Sequence, residues 1–103
     1  VVSALGGITN LLVEMSERAS MGQNNYKEHL ETLENRHLNP IEYFIPLTHQ
    51  SEIISFLKSQ LNELEVVVES LFNLNELTSK SLAKILSYGE ILSSTIIFNI
   101  LKV

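Results

Sequence analysis

The stretch LKSQLNELEVVVESL, residues 57–71, constrains this chain more than any other. Leu57, Leu61, Leu64, Val68 and Leu71 alternate four and three apart. That spacing keeps one apolar seam on one side of an α-helix, suited to packing against another helix at a shallow angle. The seam predicts a helix from about Gln50 or Ser51 to Phe72, and a helix of that length needs partners.

Three further segments supply them. Ile8, Leu11, Leu12, Met15 and Ala19 fall at helical spacing. Thr9 is the expected N-cap, since its hydroxyl can accept from the amides of the next turn, and the helix should end between Ser20 and Gly22. After the loop GQNN, Asn25 and Glu28 resemble a capping box with Asn in place of Ser or Thr. Tyr26, Leu30, Leu33 and His37 form the inner stripe of that helix. It should stop before Pro40, because proline lacks the N–H and clashes with the preceding turn. NPIEYFIPL then reads as a connection whose Ile41, Tyr43, Phe44 and Ile45 fold back onto the bundle. NLNELTS is a break with Thr78 as N-cap, and a last helix runs to the end of the chain. Ahead of all this, VVSA reads as the end of a buried strand followed by a Gly6-Gly7 turn. The expected class is therefore mainly α, about four helices forming a bundle-like unit with a short N-terminal strand stub.

Composition narrows the function classes. The net charge is −5, with seven Lys and Arg scattered along the chain. Nucleic-acid binding needs phosphates neutralised along one face, and no basic cluster offers that. There is no cysteine, hence no thiolate metal site. The run TIIFNILKV is short of the ~20 apolar residues a bilayer span takes. Mean hydropathy is +0.15 with 45% hydrophobic residues, more than a domain of this size buries alone. An oligomer, or a piece of a larger protein, is expected, and both ends read as cuts.

Few side chains suggest chemistry. Glu34 and His37 make a single Glu-x-x-His, where a di-iron bundle needs two such pairs and two more Glu; the plain reading is a partly exposed pair on the helix surface, and no metal site is expected. Glu90 stands out among the carboxylates. It lies in LAKILSYGEILSS, residues 82–94, just after Gly89, where a mid-helix glycine costs roughly 0.5–1 kcal/mol. Ser87, Glu90 and Ser94 share one stripe, with Gly89 and Ser93 beside it. Either small residues leave room for a ligand near the carboxylate, or Gly89 permits close helix packing while Glu90 points to solvent. The start of the first helix is a second candidate, since a helix N-terminus offers free amides to an anion. Its pattern is neither Gly-x-Gly-x-x-Gly nor a P-loop.

Together these two stretches resemble the substrate-side motifs of the aspartokinase family. The family carries a strand ending in Ser-Ala, a turn with Gly, and Thr-Asn opening a helix; here these are Ser3-Ala4, Gly7 and Thr9-Asn10. Its Ser-x-Gly-Glu-x-x-Ser corresponds to Ser87, Gly89, Glu90 and Ser93. ENRHLN and LFNLNELTSKSLAKILSYGE resemble the bifunctional aspartokinase–homoserine dehydrogenase branch, and the resemblance covers residues 1–103. It implies a partial kinase domain, the helical part of an αβα sandwich, from a cytoplasmic enzyme that phosphorylates the side-chain carboxylate of L-aspartate with ATP and Mg. It also implies that Ser3, Thr9 and Glu90 line the aspartate pocket. The family's Lys-Phe-Gly-Gly-Thr-Ser strand and its nucleotide-binding half have no counterpart here, so no catalytic residue and no bound cofactor is expected within the chain. The competing expectation is a helical interaction module that pairs through its seam, with itself or a partner, and catalyses nothing.

Overall fold

A computed structural model describes residues 7–102. Four helices follow in order: α1 (Ile8–Ser20), α2 (Tyr26–Phe44), α3 (Leu47–Leu74) and α4 (Ser79–Lys102). The strand expected over residues 1–4 lies outside the described residues.

Short connections make sequential helices antiparallel, and cross-helix contacts fix the order of levels. Gly7 at the start of α1 lies against Arg36 of α2, and Gly22 after α1 lies against Asn75 after α3. The Tyr26 ring packs on that of Phe72, centroids 5.6 Å apart. His37 of α2 meets Ser93 of α4. The arrangement is up-down-up-down, with α1 and α3 pointing one way and α2 and α4 the other. Every helix touches the other three. The long dimension, 43 Å, is the length of α3, since 28 residues at 1.5 Å each span about 42 Å.

The core is the seam and the stripes that face it. Leu57, Leu61, Leu64, Val68 and Leu71 are all buried, and they meet Ile8, Leu12, Met15 and Ala19 of α1, Leu33 and Ile41 of α2, and Ile85, Leu92 and Ile96 of α4. Two buried polar side chains are locally satisfied: Ser16 Oγ donates to the Leu12 carbonyl at 2.8 Å, and His37 Nδ1 to the Leu33 carbonyl at 2.8 Å.

The helix ends depart from expectation in informative ways. α1 is capped by Gly7, not Thr9. Gly7 sits at φ 81°, a left-handed conformation that a β-branched Thr avoids. The first helical bond, Leu11 N–H to Gly7 C=O at 3.0 Å, therefore leaves Thr9 inside the first turn. The end of α1 is a Schellman motif: Gly22 N–H donates to Ala19 C=O and Gln23 N–H to Arg18 C=O, each at 3.0 Å. Gly22, at φ 81°, supplies the left-handed residue. Asn25 precedes α2 as expected, but in right-handed geometry with no side-chain cap bond, so the capping box does not form. Thr78 does cap α4, with the Ser81 N–H donating to its Oγ1 at 3.0 Å.

Proline does not end α2. The helix continues through Pro40 to Phe44, although an interior proline costs about 3 kcal/mol and denies the Arg36 carbonyl its helical partner. Ile41 and Ile45 are both buried, and each such side chain contributes about 1.5–3 kcal/mol on burial. Tertiary packing outweighs the local rule. The expected fold-back is thus half met: Tyr43 (82% exposed) and Phe44 (56%) stay in solvent, packed edge-on with centroids 4.7 Å apart.

Candidate functional site

α4 turns Ile85, Gly89, Leu92, Ser93 and Ile96 inward, all buried. The spacing of four, three and one is one helical face. Ser87, Glu90 and Ser94 occupy the neighbouring stripe; Ser87 and Glu90 are exposed and Ser94 half-buried. Their hydroxyls turn back on the helix: Ser87 Oγ donates to Lys84 C=O at 2.6 Å, and Ser94 Oγ to Glu90 C=O at 2.5 Å. Among the described residues the Glu90 carboxylate has no hydrogen-bond or ion-pair partner. Gly89 is therefore on the packed face and Glu90 on the open one.

The inward face of α4 meets His37. The ring is fully buried, as is Ser93, and Nε2 faces Ser93 Oγ at 3.4 Å. His37 is thus not half of an exposed Glu-x-x-His pair. On α4 the small Ser93 side chain stands opposite the imidazole. A carbonyl only accepts, so the contact with Leu33 C=O requires the proton on Nδ1, which leaves Nε2 as the acceptor towards Ser93. Burial holds the ring's pKa below its ordinary value; the Leu33 carbonyl pulls it up, and the Arg36 charge pushes it further down.

Thr9 is exposed in the first turn of α1, where no acidic side chain competes for the helix amides. The Arg36 guanidinium lies beside that helix start, its Nη1 2.8 Å from where a Gly7 Cβ would be. Motif reasoning did not single out Arg36, although it lies within ENRHLN, one of the segments that carried the resemblance. Ser3 lies outside the described residues. Thr9 and Glu90 share no hydrogen bond. They do share a level: Gly7 abuts Arg36, and the next residue, His37, abuts Ser93. The start of α1 and the Gly89–Ser93 turn of α4 therefore sit at the same height along the bundle.

Other features offer less. A shallow cleft of about 320 Å³ at the far end of α1 is lined by Glu14, Glu17, Arg18, Met21 and Gln23. Within it Arg18 Nη2 pairs with Glu14 Oε1 at 2.9 Å, and His29 Nε2 approaches Glu14 Oε2 at 3.7 Å from outside the lining. Among the described residues no three His, Asp or Glu side chains are grouped to hold a metal, and no helix is long and apolar enough to cross a membrane.

The described residues thus define a four-helix bundle whose α1 start and α4 middle are brought level. No family model matches the chain, and no solved structure matches it.

Proposed function

We propose that the chain is the substrate-side helical segment of an aspartate kinase, whose parent phosphorylates the side-chain carboxylate of L-aspartate with ATP and Mg. The reading is supported chiefly by the common level of the two motif-bearing turns, which are about eighty residues apart in sequence. Thr9 and the free amides of the α1 start suit a carboxylate, and the unpartnered Glu90 carboxylate suits an α-ammonium group. Ser3 belongs to the same pocket by resemblance. Phosphoryl transfer depends mainly on positioning and charge stabilisation. This segment would help hold aspartate and would contribute no group to the nucleotide.

The isolated 103 residues are expected to show no kinase activity above a buffer control; activity there would overturn the assignment of the chemistry to other parts of the parent. In a longer protein carrying the Lys-Phe-Gly-Gly-Thr-Ser strand, Glu90→Gln should raise the KM for aspartate by about 10–100-fold, the worth of one charged hydrogen bond. The KM for ATP should change little. Equal effects on both substrates would count against the pocket.

A second reading, self-association of the chain, is favoured by the distribution of apolar surface. Tyr43, Phe44, Leu47, Phe98 and Leu101 are all more than half exposed, and topology gathers them at one end of the bundle. Exposed patches of this kind drive association. A homo-oligomer is expected by light scattering at high protein concentration, and a strictly monomeric profile would refute it.

A further inference from the structure

We propose that His37 is an acid-sensitive latch between α2 and α4: protonation of its ring loosens the second half of α2 from α4. The geometry gives the ring one way to be comfortable. It is fully buried, its Nδ1–H is committed to the Leu33 carbonyl at 2.8 Å, and its Nε2 looks across the seam at Ser93 Oγ, 3.4 Å away. A second proton must go on Nε2, placing a charge between two helices with the Ser93 hydroxyl opposite.

Among the described residues no acidic side chain is paired with the ring. The buried residues of α1 and α3 include no ionisable side chain. On α4, the ionisable positions closest in sequence to Ser93 are Tyr88, half-buried, and Glu90, exposed on the other stripe. On α2 itself, Glu34 is half-buried, and the neighbouring Arg36 charge opposes protonation. His29 differs, with the Glu14 carboxylate 3.7 Å from its Nε2. Buried charge without a partner is strongly disfavoured, so the molecule relieves it by opening. Pro40, three residues beyond the ring, lies inside the same helix and contributes no N–H to its ladder.

The sign follows from linkage. The folded pKa of His37 lies below its unfolded value of about 6.5. Between the two values the unfolded or opened chain binds more protons than the closed one. Stability is therefore full above about pH 6.5, falls as pH drops below it by up to about tenfold in the closing equilibrium per pH unit, and levels off below the folded pKa.

The test uses NMR on the 103-residue chain. The His37 ring should titrate at lower pH than in denaturing urea. Amide protection over residues 33–44, corrected for intrinsic exchange, should drop between pH 7.5 and pH 5.0. That drop should vanish in His37→Gln and persist in the double variant His29→Gln/His49→Gln. If His37→Gln does not fold, the double variant still decides, because its only histidine is then His37. A ring midpoint at or above the urea value, or pH-independent protection over residues 33–44, would overturn the proposal.

Discussion

Leu64→Ala is expected to lower the unfolding free energy by about 2–5 kcal/mol. Leu64 is fully buried near the middle of α3, in the seam that the three other helices cover. Truncation removes three carbons from contact and leaves a cavity that long, packed helices relax into only partly. A domain of this size has a total stability on the order of 5–15 kcal/mol. The loss is therefore a large share of what holds the bundle, and the melting temperature should fall by about 10–30 °C. Val66→Ala, two residues away and 68% exposed, should change stability by no more than about 0.5 kcal/mol. Urea denaturation followed by circular dichroism compares the two. A Leu64→Ala cost similar to that of Val66→Ala would remove the seam from the core.

Ser93→Leu is expected to cost about 2–4 kcal/mol, and Ser93→Ala about 1 kcal/mol. Ser93 has no exposed surface and stands next to Gly89 on the buried face of α4. Leucine would push into a packed seam and leave the His37 Nε2 facing hydrocarbon. Alanine removes the hydroxyl without adding volume. The order of the two urea midpoints is the informative result. If Leu is tolerated as well as Ala, α2 and α4 are not closely packed at this level.

Much of the architecture was legible because it rests on periodicity. All five seam residues of α3 are buried, as are Ile8, Leu12, Met15 and Ala19, and Thr78 caps α4 as its side chain suggests. What was not legible depends on competition between local cost and distant packing. Pro40 forbids a helix locally, yet Ile41 and Ile45 gain burial only if the helix continues. Thr9 is the better capping side chain, yet the turn needs a left-handed residue, and only Gly7 supplies it cheaply. His37 is polar by type, and its burial places it opposite Ser93, fifty-six positions further on. The candidate site divides along the same line. The stripe carrying Glu90 was readable from spacing, and a buried Gly89 beside an exposed Glu90 is the arrangement expected where the glycine serves helix packing. The cationic corner at Gly7 was not, because Arg36 belongs to a different helix.

The turn between α2 and α3 sets a limit on how two copies could combine. Ile45 is extended, at φ −107° and ψ 131°, and Pro46 follows at φ −58° and ψ 146°. The proline ring disfavours the right-handed helical region for the residue before it, a cost that packing meets at Asn39–Pro40 within α2. The Gln50 side chain fastens the bend further, donating from Nε2 to the Ile45 carbonyl at 2.7 Å. Helical bundles exchange elements when a hinge straightens and two helices fuse into one. Here fusion would set Ile45 against its preference before Pro46, and would break the Gln50 bond. Copies of this chain can meet through their surfaces, whereas trading one half of the molecule for another would work against the local preference of this corner.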